Sequence, residues 1–133
     1  MKKQIAFVLV LVLALSAAGC GRQVQADDVA GKSYVYEKEG FGGDFTITIG
    51  EDGSFQYYEG LLSSYIGNGT WQLDGDVLIL TEDAQAGRDA VNRFKVRGGA
   101  LVFQEENSGN FLYVKVADGE RFTETDAPGP DRP

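Results

Sequence analysis

Gly69-Thr70-Trp71-Gln72-Leu73-Asp74-Gly75-Asp76-Val77-Leu78-Ile79-Leu80 reads as a complete β-hairpin, two β-prone runs about an Asp-Gly pair. That pair is the strongest short-range hairpin signal, because a type I′ turn needs positive φ at both central residues. A turn at Asp74-Gly75 predicts Leu73 opposite Asp76, Trp71 opposite Leu78 and Gly69 opposite Leu80. Side chains alternate along a strand, so Trp71, Leu73, Leu78 and Leu80 share one face. That face is the candidate core. Thr70, Gln72, Val77, Ile79 and Thr81 form a mixed face suited to water.

The same test extends to both sides. Lys32 to Lys38 opens with Tyr34 and Tyr36 alternating, and Asp44 to Ile49 sets Phe45, Ile47 and Ile49 on one face. Read as a three-residue loop with Gly53 left-handed, Glu51-Asp52-Gly53 predicts Ile49 opposite Phe55 and Ile47 opposite Tyr57. A Gly98-Gly99 turn predicts Val96 opposite Leu101 and Phe94 opposite Phe103, with Arg93, Lys95 and Arg97 outward. Phe111 to Val116 alternates Leu112, Val114 and Val116, and an Ala117-Asp118-Gly119 loop predicts Phe122 opposite Val114. Longer links run from Gly60 to Ile66, Glu82 to Ala90 and Gln104 to Asn110.

Residues 32–123 thus contain short strands at hairpin spacing and no proline. An open sheet ends in unpaired N–H and C=O groups that recruit other chains, and no proline marks an edge here. The expected fold is all-β: a small antiparallel up-and-down meander of about eight strands closing into a barrel. Eight strands leave an interior just wide enough for side chains or one small ligand.

Before the barrel, Met1-Lys2-Lys3 is a short basic start, Ile5 to Ala18 an apolar run, and Ser16-Ala17-Ala18-Gly19-Cys20 a set of small residues. The run is too short to span a bilayer comfortably and reads as an export signal over residues 1–19. Ala17-Ala18-Gly19-Cys20 resembles the lipobox of bacterial lipoproteins, with Ala17 where that family usually has Leu. The resemblance implies cleavage before Cys20 and a diacylglyceryl and palmitate anchor on it, so that the chain faces outward from the bacterial cell membrane. Two acyl chains hold far more firmly than one, at about 0.8 kcal/mol per buried CH₂. Residues 20–31 then read as a flexible tether and 124–133, with all three prolines, as a disordered tail. Loss of Lys2 and Lys3 leaves ten basic side chains against twenty acidic, a net charge of −10. Nucleic acid and anionic lipid surfaces repel such a body.

Gly69-Thr70-Trp71 is similar to the Gly-x-Trp element of lipocalins, small barrels that carry apolar ligands, although there it lies on the first strand and here on about the fourth. Residues 32–122 look similar to lipocalin-like modules of bacterial lipoproteins. The likeness bears on architecture and hardly on function.

Chemistry is constrained by what is absent. The chain has no histidine, hence no Ser-His or Cys-His nucleophile and few ways to hold zinc or copper; Cys20 is its one cysteine. The acidic pairs Asp74 and Asp76, Glu51 and Asp52, Glu82 and Asp83, and Glu105 and Glu106 lack the ligand spacing of a calcium loop. No catalytic residue, metal site or cofactor is expected. Arg88, Arg93, Lys95 and Arg97 are the one basic concentration, either a patch for an acidic partner or a wet strand face.

Leu61, Leu62, Tyr65 and Ile66 stand in a connection where polar residues are usual, as a lid, a contact patch or a barrel plug. With Phe41 nearby in a Gly-rich loop, they suit a small apolar or amphipathic ligand at the barrel mouth, on Tyr58, Leu61, Leu62 and Tyr65. The alternative is a filled barrel contacting another envelope protein.

Overall fold

The computed structural model describes residues 23–37, 45–60, 65–83 and 90–126. Among them eight strands follow in chain order: β1 (Ser33–Tyr36), β2 (Thr46–Ile49), β3 (Ser54–Tyr58), β4 (Ile66–Asp74), β5 (Val77–Glu82), β6 (Val91–Arg97), β7 (Ala100–Gln104) and β8 (Arg121–Thr125). Each pairs antiparallel with the next, and β8 returns to β1 with Ser33 opposite Thr125 and Tyr36 opposite Phe122. The sheet is a closed barrel and leaves no edge.

Two hairpins form in the expected register. Ile49 faces Phe55 and Ile47 faces Tyr57 around Glu51-Asp52-Gly53, with Gly53 at φ +88°. The Ser54 hydroxyl and N–H hold the exposed Asp52 carboxyl below its usual range. Val96 faces Leu101 and Phe94 faces Phe103 across Gly98-Gly99, where φ is +48° and +79°.

The Trp71 hairpin forms with its turn displaced by one residue. Asp74 pairs with Val77, Leu73 with Leu78 and Trp71 with Leu80. Gly75 takes φ +62° while Asp76 stays out of the left-handed region. Only the glycine is then asked for positive φ, as in a type II′ turn, which relieves Asp74 of a strained conformation. Asp76 is left on the outer face to accept from Arg97 Nη1 at 2.7 Å. Moving a turn by one residue changes partners by two, so the faces are unchanged. Leu78 and Leu80 are buried, and Leu73 and Trp71 are half-buried against the core, with Trp71 Nε1 donating to Gly50 O at 2.9 Å.

Residues 111–116 are not a strand. Phe122 pairs with Leu101 and Tyr36, and the chain crosses from β7 to β8 by way of residues 105–120. Asn110 (φ +65°) closes a loop here: its Oδ1 accepts from the N–H groups of Phe111 and Val116, and its Nδ2 donates to Val116 O at 2.9 Å. Backbone groups that a strand would pair in a ladder are met by side chains instead.

With an even number of strands, the chain enters and leaves the barrel at one end. That turn end carries the start of β1, the finish of β8 and the three tight turns; the four longer connections all leave from the opposite, loop end. Residues 24–31, expected as tether, fold across the turn end. A 3-10 turn at Ala26–Asp28 leads to Val29, which is fully buried, and Gly31 N–H donates to Ile49 O at 2.7 Å. The expected tail also starts later, since Glu124 and Thr125 belong to β8. The export signal, Cys20 and residues 127–133 lie outside the described residues.

The inside is filled. Twelve of the largest side chains, seven of them aromatic, are less than 2 % exposed. Among these, Tyr34 sits near the turn end with its hydroxyl 3.5 Å from Asp28 O. Burial first, then the carboxylates of Glu124 and Asp28, push this hydroxyl up to about 12. Unfolded tyrosine ionises near about 10. The stability owed to neutral Tyr34 is therefore complete below about pH 10 and is lost as pH rises through about 12. Tyr34→Phe should flatten this alkaline loss in urea midpoints followed by Trp71 fluorescence. Equal losses in both proteins would assign the titration to another group.

Candidate functional site

The inward phase of three strands ends, at the loop end, in a polar residue. Beyond Phe55 and Tyr57 comes Glu59, beyond Leu78 and Leu80 comes Glu82, and before Phe94 and Val96 stands Asn92. All three are buried. The alternation that places the core thus carries polar groups into the barrel mouth, where each holds a connection.

Glu82 Oε1 accepts from Tyr57 OH at 2.7 Å and Tyr65 OH at 3.0 Å. Asn92 Oδ1 accepts from Asn110 N–H at 2.8 Å. Glu59 Oε1 accepts from the N–H groups of Tyr113 and Val114 at 2.8 and 2.7 Å, while its Oε2 is buried with no partner among the described residues. Bonds accepted by a carboxylate, as at Glu82 and Glu59, are roughly twice as strong as neutral ones such as that at Asn92. Together they seat Phe111 in the barrel mouth. Its fully buried ring lies 4.8 Å from Phe45 and 4.9 Å from Tyr57, both edge-on, with Phe94, Phe103 and Phe122 completing the surround.

The next two side chains on this segment turn outward. Leu112 and Tyr113, 44 % and 61 % exposed, are the exposed large hydrophobics among the described residues. No protein-family model, curated protein or solved structure matches the chain. Function has to be read from this geometry.

Of the residues expected at a ligand site, Tyr65 and Tyr58 are described and do not converge. Tyr65 packs toward Tyr57 and gives its hydroxyl to Glu82, whereas alternation puts half-buried Tyr58 on the outer wall. Leu61 and Leu62, with Phe41 and Arg88, lie outside the described residues. Among the described residues, the segment that plugs the mouth is 105–120 with Phe111. Among the described residues no three His, Cys, Asp or Glu side chains are grouped to hold a metal ion. On β6, Arg97 is paired with Asp76, and Arg93 Nη1 donates to Asn107 O.

Glu59, Asn92 and Phe111 were missed by sequence reasoning. The first two carry a legible signal, a polar residue in phase with an apolar strand. Phe111 carries none, because nothing local distinguishes a strand residue from a plug.

Proposed function

We propose that the chain is an exported lipoprotein, anchored through acylated Cys20, whose filled barrel is a non-catalytic module contacting another protein of the cell envelope. The observation that carries this reading is Phe111 in the barrel mouth with Leu112 and Tyr113 exposed beside it. The segment that seals the interior is also the one that offers apolar surface to a partner. A chain that enters the barrel at the turn end directs the loop end away from its anchor, toward other proteins rather than lipid. Residues 24–31, folded on the turn end, leave only Gly21 to Gln23 as spacer, about 10 Å at full extension. A small apolar ligand on Tyr58, Leu61, Leu62 and Tyr65 has less support, since Tyr65 is engaged by Glu82 and Phe111 takes the central space.

A photo-crosslinking residue placed at Tyr113 tests the reading in intact cells. One discrete protein adduct in the membrane fraction is expected, abolished by Leu112→Asp, with Cys20→Ser releasing the protein from membranes. Background adducts alone, or membrane retention of the Cys20→Ser protein, would refute it.

A further inference from the structure

The outer wall of β2 to β5 is not the convex, featureless surface expected of a small barrel. It holds a groove of about 640 Å³, within the size range of small-molecule sites. The concavity has a backbone cause. β4 pairs with β3 through Ile66 to Thr70 and with β5 through Gly69 to Asp74, so the two pairings overlap only at Gly69 and Thr70. There the strands press together: a Cβ on Gly69 would lie 1.9 Å from Thr81 O. Only glycine permits that approach, and the wall folds along it.

Register places two rows of polar side chains across the fold. Thr48, Gln56 and Asn68 stand side by side, and Ser54, Thr70 and Thr81 form the second row. Among the described residues the side chains of Gln56, Asn68, Thr70 and Thr81 make no hydrogen bond with protein. Four strands thus present amide and hydroxyl groups to one hollow.

The chemistry narrows the occupant. Among the described residues no cation lines the groove, which argues against phosphate and nucleic acid. Among the described lining residues the one large apolar side chain, Phe55, is buried in the core, which argues against a lipid tail. A closed barrel has no strand edge for a peptide to extend. Amides and hydroxyls that both donate and accept match the vicinal hydroxyls of a sugar. We infer that this groove binds a neutral, hydroxyl-rich chain, an oligosaccharide. The site is independent of the protein contact proposed for the loop end.

The test is an NMR titration of the full-length protein in detergent with chitotetraose and with maltotetraose. One of them should shift the side-chain amides of Gln56 and Asn68 saturably. Gln56→Ala with Asn68→Ala removes two partners and should weaken binding about tenfold or more, the other amide resonances staying in place. Tyr113→Ser, at the loop end, should leave sugar binding unchanged. Absence of shifts with both sugars at millimolar concentration, or equal affinity in the double variant, would overturn the proposal whatever the crosslinking at Tyr113 shows.

Discussion

Phe111→Ala should lower folding stability by about 3–5 kcal/mol, the range for removing a fully buried phenyl ring. Two contributions set the size. The ring is fully enclosed, so its transfer from water is lost, and its edge-on partners Phe45 and Tyr57 lose contacts worth roughly 0.5–1.5 kcal/mol each. The surrounding rings then fail to close the gap. Phe45 leads into β2, and Tyr57, Phe94, Phe103 and Phe122 sit on strands whose hydrogen bonds fix their positions. A void among rings held by strands relaxes little, so the cavity cost remains. Urea unfolding should show a lower midpoint with an unchanged slope, since the area exposed on unfolding hardly alters. Benzene should recover part of the loss by filling a dry, aromatic cavity of its own size. A loss under about 1 kcal/mol, with no effect of benzene, would mean that Phe111 is not packed in the barrel.

The reason this plug escaped sequence reasoning shows where such reading works. The hairpins around Gly53 and Gly98-Gly99 carry two independent signals, turn chemistry and core alternation, and both demand one register. At Asp74-Gly75-Asp76 the turn signal is degenerate, because a glycine flanked by two aspartates suits two adjacent turns. Alternation survives the slip, so the core face is right while every partner moves by two. At Phe111 to Val116 both signals mislead. The Ala117-Asp118-Gly119 turn forms, with Gly119 at φ +83°, but Gly119 and Glu120 bond to Phe103 instead of returning on Val114, and Asn110 and Glu59 take the backbone groups of the run. Val29 illustrates the same limit at the turn end: Val24 and Val29, five residues apart in a polar stretch, give no period, yet Val29 is fully buried and Val24 packs on the core. Local pattern specifies the sheet, while the segments that close its two ends depend on contacts made far along the chain. The candidate site inherits that division, with Tyr58 placed by β3, Tyr65 held just before β4 by Glu82, and the mouth filled from more than fifty residues away in sequence.

Glu59→Ala should cost about 2–6 kcal/mol, because the N–H groups of Tyr113 and Val114 lose their acceptor and each unpaired donor costs about 1–3 kcal/mol. Glu59→Gln separates the acceptor from the charge. Its Oε1 can still receive both N–H groups, so this variant should keep more than half of what alanine loses, the remainder measuring the charge assistance. The order Ala below Gln below wild type is expected in urea midpoints; equal losses for Ala and Gln would show that charge, not acceptance, holds the segment. The decisive comparison joins this clamp to the plug. If Glu59 acts by keeping Phe111 seated, removing it matters less once the ring is gone, because the freed segment can offer its N–H groups to water. The double variant should then fall short of additivity by about 1 kcal/mol or more. Full additivity would separate the two, leaving Glu59 to order Leu112 and Tyr113 for their partner while Phe111 holds the barrel shut alone. In the coupled case, Glu59→Ala should also abolish the crosslink at Tyr113, since the surface offered to the partner and the seal of the barrel are one piece of chain.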